Sequence, residues 1–120
     1  MKLLKVRPRY ELGEKVVVYR GNGGLTPWAH IRAIRVTFTK EGREVYYDLG
    51  GAVTWTNQDE GNLANHNELI AGLGAIRMMR KNETPKTGQF FQDLAILLEG
   101  LENNIETRLN DYEYPDNVDN

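Results

Sequence analysis

Residues 31–49 read IRAIRVTFTKEGREVYYDL and carry the clearest structural signal in the chain. β-Branched and aromatic residues alternate with polar ones before and after Lys40-Glu41-Gly42-Arg43, a tetrapeptide with the composition of a tight turn. An alternation with a period of two is typical of a strand that buries one face. The stretch therefore predicts a β-hairpin with strands at residues 31–39 and 44–49.

Three more segments of the first half have strand-like patterns. Residues 15–20 (KVVVYR) and 52–56 (AVTWT) are rich in β-branched and aromatic residues, and residues 2–10 alternate loosely. The glycines within residues 21–27 predict a loop. We interpret it as an ordinary connection, because no helix pattern follows it and it lacks the Gly-Lys-Ser/Thr ending of a phosphate-binding loop.

The second half of the chain has the periodicity of helices instead. Residues 65–82 carry apolar side chains at helical spacing, namely Leu69, Ile70, Leu73, Ile76 and Met79. Asn65 or Asn67 can cap the start of this helix. Thr84-Pro85 ends it, because proline cannot continue a helix and restricts the residue before it.

A second helix is predicted from Thr87, a suitable N-cap, to about residue 109. Its apolar stripe consists of Phe91, Leu94, Leu98, Leu101 and Ile105. A short break between two amphipathic helices predicts an antiparallel hairpin.

Each predicted helix carries small residues on one side. They are Ala71, Gly72, Gly74 and Ala75 in the first helix and Gly100 in the second. Glycine inside a helix costs roughly 1 kcal/mol relative to alanine. We therefore expect a close backbone approach at these positions, either within the hairpin or between subunits.

Length and composition place the chain among single-domain proteins, with 120 residues of which 40% are hydrophobic. We divide it into a β-rich part (residues 1–60), a helical hairpin (residues 64–110) and a polar acidic tail (residues 111–120), whose composition is typical of a segment without fixed structure. The expected fold class is α+β, with an N-terminal antiparallel β-sheet or small barrel followed by a C-terminal antiparallel two-helix hairpin.

The absence of cysteine and of long apolar runs indicates the cellular compartment. The chain has no cysteine, which excludes disulfides and thiolate metal sites and fits a reducing compartment. No apolar run reaches the roughly 18 residues of a transmembrane helix, and we expect a cytoplasmic protein that does not contact membranes.

The net charge of −2 combines a basic and an acidic region. Residues 1–43 hold ten Lys/Arg against three Asp/Glu, whereas residues 44–120 hold five against fourteen. This segregation predicts a basic face that could meet phosphates, with the solvated side of a small sheet as the alternative.

No residue pattern predicts catalysis. His30 and His66 are far apart and lack the spacing of metal ligands. The sequence shows no recognisable arrangement of a nucleophile with a histidine and an acid. The paired acids Asp59-Glu60 are typical of a solvated loop. We interpret the chain as a binding protein without catalytic groups, metal or cofactor.

Two arginines and two phenylalanines are candidates for binding. Arg77 borders the apolar stripe of the first helix and Arg108 extends that of the second. A guanidinium beside an apolar face offers a planar fork for phosphate or carboxylate. The alternative is structural, because Arg108 suits the C-terminal end of the helix dipole and Arg77 can extend its charged group into solvent. Phe90 and Phe91 open the second helix and could stack on a base, although phenylalanines in this pattern also occur in cores. Together the four residues predict a pocket for an anionic ring-containing ligand.

Residues 67–108 resemble the helical hairpin of small phage proteins that sequester immune signals, the viral Thoeris anti-defence proteins and anti-CBASS cyclic-nucleotide sponges. Asn67-Glu68-Leu69-Ile70 opens the hairpin as in that family. Arg77 lies ten positions after Asn67, Pro85 eighteen and Arg108 forty-one, and the match needs no gap.

The resemblance implies a viral sponge that binds a cyclic ADP-ribose-like or cyclic oligonucleotide signal without cleaving it. It also implies a homo-oligomer in the host cytoplasm, with the ligand held between subunits. Arg77 and Arg108 would contact phosphates, and Phe90 or Phe91 would stack on the base. Asn104, one helical turn before Arg108, could contact a ribose or a base edge.

Residues 10–16 (YELGEKV) and 45–49 (VYYDL) resemble parts of small SH3-like barrels. An alternative function follows, that of an SH3-like module that binds nucleic acid through Arg32, Arg35 and Trp28, with an affinity that falls steeply with salt. A third hypothesis is a protein inhibitor, an adaptor or a virion component that docks on a partner through its exposed helices or a sheet edge.

Overall fold

The computed structural model describes residues 8–81 and 88–113. Six strands come first: β1 (Lys15–Gly21), β2 (Gly24–Leu25), β3 (Ala29–Thr39), β4 (Gly42–Gly51), β5 (Gln58–Asp59) and β6 (Leu63–Asn65). A 3-10 turn at Glu60–Asn62 joins β5 to β6. Two helices follow, α1 (His66–Lys81) and α2 (Gln89–Glu113).

The strands form one antiparallel sheet in the order β2-β1-β3-β4-β5, and β6 also pairs with β1. Within residues 8–81 and 88–113 no ladder joins β5 to β6, so the sheet is open rather than a closed barrel. The α+β class, with a sheet before a helical hairpin, is confirmed.

The predicted hairpin is β3 and β4, paired from Ala29↔Gly51 to Thr39↔Gly42. A register shift between Ile31 and Ala33 places one extra residue in β3. Ile31 is therefore buried in the same core against which Ile34 packs, although a strict alternation puts these two side chains on opposite faces.

The predicted strand at residues 15–20 is confirmed as β1, whereas the predictions at residues 52–56 and 2–10 differ from the structure. Residues 52–56 are not a strand, although Val53 and Trp55 pack against the core and the Trp55 carbonyl accepts a hydrogen bond from Leu49 N–H at 2.7 Å. The short strands β5 and β6 pair with the sheet instead. Residues 8–10 are not a strand either, and the rest of the predicted strand at 2–10 lies outside the described residues.

The loop at residues 21–27 contains a tight turn that the sequence interpretation missed. Gly21, Asn22 and Gly23 all have positive φ angles, which lets the chain reverse and pair Leu25 with Tyr19 as β2.

A first core lies on one face of the sheet and is built by buried side chains of β1, β3, β4 and β6 together with Tyr10. The Tyr10 and Tyr47 rings meet edge to face, with 5.5 Å between their centroids. The Tyr47 hydroxyl donates to Glu60 Oε2 at 2.6 Å, and burial with this hydrogen bond raises the pKa of Tyr47 to about 12. The hydroxyl groups of both buried tyrosines thus form hydrogen bonds.

The helices occur where the periodicity predicts them, with two differences. α2 runs to Glu113, so it includes the first three residues of the predicted tail; the rest of that tail, and the predicted Thr87 cap and Thr84-Pro85 break, lie outside the described residues. Ile70 and Met79 belong to the predicted stripe of α1 but are 49% and 53% exposed.

The two helices are antiparallel. At one end the His66 ring stacks on Tyr112, and at the other Arg80 pairs with Glu102. In the described ranges neither helix combines the length and apolarity needed to cross a bilayer.

Candidate functional site on the helical hairpin

Reciprocal hydrogen bonds fix the start of α1. Asn65 Oδ1 accepts from Glu68 N–H at 2.9 Å, and Glu68 Oε1 accepts from Asn65 N–H at 2.9 Å, which is a capping box. Asn65 is thus the cap, while Asn67 is exposed. The Tyr10 hydroxyl, whose pKa is raised by burial, lies 2.6 Å from Glu68 Oε1. The Glu68 of the Asn-Glu pair therefore has a structural role in this chain.

The inner faces of both helices pack on the second face of the sheet. Leu69, Leu73 and Ile76 of α1 and Ile105 of α2 form a second core with Val17 of β1. This core holds the hairpin against the sheet and fixes which sides of the helices remain outside.

The C-terminal half of α2 is anchored to the sheet by hydrogen bonds. Asn104 Nδ2 donates to the Gly23 carbonyl at 2.6 Å, and Trp28 Nε1 donates to the Arg108 carbonyl at 2.6 Å. The Tyr112 ring packs edge to face with Trp28, with centroids 5.0 Å apart. This side of α2 is therefore occupied by contacts within the chain.

An ionic cluster joins the helices on their other side. Arg77 Nε lies 3.1 Å from Glu102 Oε2, Arg77 Nη2 lies 3.4 Å from Glu106 Oε2, and Arg80 also pairs with Glu102. Hydrogen bonds from Arg77 and Arg80 hold the pKa of Glu102 below its usual value. Arg77, Arg80, Lys81 and Glu102 line an open groove of about 330 Å³.

The side of α1 that faces away from the sheet is apolar. Between residues 69 and 79 only Arg77 is polar. Ile70 and Met78 are 49% and 65% exposed, and Ala71, Gly74 and Ala75 are exposed near them. We call these five residues the outer face of α1. A Cβ placed on Gly74 would meet no heavy atom within 4 Å, so this face is open.

The N-terminal end of α2 extends past α1. Arg80, in the last turn of α1, binds Glu102, so residues 89–97 of α2 lie beyond the end of α1. This segment, the α2 overhang, is roughly 13 Å long at 1.5 Å per residue. Three of its large apolar side chains, Phe90, Ile96 and Leu97, are 68%, 69% and 45% exposed.

The structure places the five sequence-predicted site residues in three separate positions of one chain. Arg77 lies in the ionic cluster, and Asn104 and Arg108 lie on the side of α2 that meets the sheet. Phe90 and Phe91 pack edge to face at the start of α2, with centroids 5.0 Å apart. Eighteen residues of helix, roughly 27 Å, separate Phe90 from Arg108.

Asn104 and Arg108 have partners within the chain. Asn104 binds the Gly23 carbonyl, and Arg108 Nη1 lies 2.8 Å from Asp111 Oδ2. A pocket that combines all five predicted residues would need more than one copy of the chain.

Two of the three residues proposed for nucleic-acid binding, Arg35 and Trp28, are also engaged in contacts. Both terminal nitrogens of Arg35 contact the Asp48 carboxylate, at 2.9 and 2.5 Å. Trp28 lies at the junction of sheet and helices rather than on an open face.

Sequence reasoning missed Glu102 and the two exposed apolar surfaces. Glu102 looks like any solvated helix position, and only the antiparallel register shows that it faces Arg77 and Arg80. The apolar outer face had a signal, because residues 69–79 hold more apolar side chains than one buried stripe can contain.

The chain was compared with protein-family models, with curated proteins and with solved structures, and none of the three comparisons finds a match.

Proposed function

We propose that the protein is a non-catalytic binding module that acts as a homodimer, with the helical hairpin as the dimer interface. The observation that carries this proposal is the apolar outer face of α1. A contiguous apolar patch that stays exposed is typical of an interaction site. Here the sheet and α2 cover only the side with Leu69, Leu73 and Ile76.

A second copy of the chain fits this surface by shape. The outer face of α1 is shallow, because Ala71, Gly74 and Ala75 extend no further than Cβ. The α2 overhang presents the large side chains of Phe90 and Leu97. If the overhang of each copy lies on the outer face of the other, one twofold-symmetric interface covers both surfaces in both copies.

The radius of gyration of the single chain also supports a dimer, because it exceeds that of a compact domain. Its Cα radius of gyration is 17.3 Å, whereas a compact domain of this length has a radius of roughly 14 Å. The exposed apolar residues of the α2 overhang gain little from folding unless another surface covers them.

The mass of the protein in solution tests this function. Sedimentation over a range of concentrations should show a dimer for the natural chain and a monomer for Phe90→Ser with Leu97→Ser. The matched control, Gln92→Ser with Asn103→Ser, changes exposed polar residues of the same helix and should stay dimeric. A natural chain that stays monomeric at every concentration contradicts the proposal, as does a double variant that is folded and still dimeric.

A second candidate function is the sequestration of a cyclic nucleotide-type signal, such as a cyclic ADP-ribose or a cyclic oligonucleotide. The basic groove of Arg77, Arg80 and Lys81 supports it, because phosphates could compete with Glu102 for the guanidinium groups. A dimer could add Arg108 or Phe90 of the second copy to such a site. The protein would then act in the host cytoplasm as a sponge.

Isothermal titration against cyclic ADP-ribose isomers and cyclic di- and trinucleotides tests this second function. Tight binding, with the ligand recovered intact after heating, is the expected result, and Arg77→Ala should weaken it. Arg108→Ala should also weaken binding if the ligand bridges two copies. No binding across the panel contradicts the sponge function and leaves the dimeric binding module unaffected.

A further inference from the structure

The outer edge of β4 is only partly paired. β5 contacts β4 through Tyr46↔Asp59 and Tyr47↔Gln58, and the chain then turns away into the 3-10 turn. Residues 42–45 of β4 pair with β3 on the inner side, and within the described residues no strand covers their outer side. Backbone N–H and C=O groups on such an edge are available to a further strand.

A groove runs along this free edge. Arg43, Glu44, Val45 and Tyr46 of β4 form one side, and residues 59–61 form the other. Its volume is about 330 Å³. We call it the β4-edge groove. The groove continues the line of β5. An added strand would therefore lie beside residues 42–45 of β4, where β5 no longer pairs after Asp59.

The charges of the β4-edge groove are mostly negative. Three carboxylates, those of Glu44, Asp59 and Glu60, face one guanidinium, that of Arg43. Glu60 is already held by Tyr47 and by the Arg9 backbone N–H at 2.8 Å. In the part of the chain that the structure describes, Glu44 and Asp59 make no ion pair, so two carboxylates remain for a partner.

Hydrogen bonding fixes one of these carboxylates at the groove. The Tyr46 hydroxyl donates to Glu44 Oε2 at 3.0 Å. Glu44 thus stays beside the free edge, two residues before Tyr46, the residue of β4 that pairs with Asp59. An extended peptide presents alternate side chains on one side, and cationic side chains at such spacing could reach both acids.

We infer that the β4-edge groove binds an extended peptide segment of a partner protein that carries Lys or Arg at alternate positions, and that this segment adds as a strand to the outer edge of β4. Main-chain hydrogen bonds to residues 42–45 supply the orientation, and Glu44 and Asp59 select the basic side chains. This surface lies on the sheet, so the inference does not depend on the hairpin being a dimer interface.

Titration with synthetic peptides tests the inference. The probe is a capped peptide of about six residues in which lysine alternates with valine, and the comparison peptide has glutamate in place of lysine. In the natural chain, the lysine peptide should shift the amide NMR signals of residues 42–45, and the glutamate peptide should not.

Two full-length variants separate specific binding from general charge attraction. Glu44→Gln with Asp59→Asn should weaken the lysine peptide about tenfold or more, because both free carboxylates are lost. Glu99→Gln with Glu113→Gln makes the same change of net charge on exposed helix positions and should leave the affinity unchanged. Equal weakening in the two variants, shifts only at residues outside the β4-edge groove, or no binding overturns the inference.

The basic residues at the start of the chain are the competing occupant. In a third full-length variant, Lys2, Lys5 and Arg7 are changed to glutamine. Equal peptide affinity in this variant and the natural chain supports an external partner. Binding that appears only in the variant assigns the groove to the chain's own first residues and overturns the inference.

Discussion

The β-sheet and the helical hairpin bury their apolar residues to very different extents. In the first core the two large tyrosines, Tyr10 and Tyr47, are almost fully buried and their hydroxyl groups have partners. On the hairpin, by contrast, lie seven of the ten large hydrophobic side chains that are exposed among the described residues. The described residues cover most large apolar side chains of the sheet, whereas many of those on the hairpin stay exposed.

The largest contrast should occur between two apolar residues of the same helix. Ile105 is 4% exposed in the second core, and Leu97 on the overhang is 45% exposed. Ile105→Ala should lower the free energy of unfolding by about 2–5 kcal/mol, because it removes transfer energy and leaves a cavity. Leu97→Ala should change the stability of the dilute monomer by less than about 0.5 kcal/mol. Chemical denaturation at low concentration measures both, and equal losses would mean that the overhang is already covered within the chain.

The buried tyrosine network of the sheet should be the next most sensitive feature. The Tyr10 hydroxyl lies 2.8 Å from the Leu63 carbonyl and 2.6 Å from Glu68 Oε1. Tyr10→Phe should cost about 1–3 kcal/mol of unfolding free energy, because buried acceptors lose their donor. Tyr46→Phe removes a hydroxyl from an exposed hydrogen bond to Glu44 and serves as the control. A cost for Tyr46→Phe as large as that for Tyr10→Phe would contradict the assignment.

The capping box tests how α1 is joined to the sheet. Asn65→Ala should cost about 1 kcal/mol of unfolding free energy, because Glu68 N–H loses its acceptor. Asn67→Ala, two residues later on the exposed side, should leave the thermal midpoint unchanged. If Asn67→Ala lowers affinity for a cyclic nucleotide without changing the midpoint, the resemblance of the Asn-Glu pair to phage sponges gains a functional meaning.

The smallest effect should come from the ionic cluster between the helices. The pKa of Glu102 is lowered in the folded chain, mainly by the hydrogen bond from Arg77. Its contribution to stability is therefore present at neutral pH and is lost as the pH falls through the lowered pKa, below the usual value of 4.5. Thermal midpoints of the natural chain should fall slightly more than those of Glu102→Gln between pH ~5 and pH ~3. Identical pH profiles would show that the pair contributes nothing.

Much of the fold could be predicted from local patterns. Period-two alternation locates β3 and β4, and apolar spacing locates α1 and α2 to within a few residues. Patterns could not show the bulge after Ile31, because one added residue in β3 reverses the faces without altering composition. Nor could they show β5 and β6, whose two and three residues are too short to carry a period.

The candidate site was less predictable than the fold, because it depends on which side of each helix the sheet covers. Arg77 and Arg108 both border apolar stripes in the sequence, yet one faces Glu102 across the hairpin and the other lies beside Trp28. Ile70 and Met79 fit the helical period but lie outside the second core. Only the three-dimensional packing separates the apolar residues that form the cores from those that stay exposed.

Hydrogen exchange of the α2 overhang at low and high protein concentration shows whether a second copy of the chain covers it. Residues 89–97 and the outer face of α1 should exchange quickly in dilute protein and slowly in concentrated protein, while β1 and β4 are protected to the same extent in both. Exchange of the overhang that does not change with concentration, in a protein that sediments as a monomer throughout, would contradict the account.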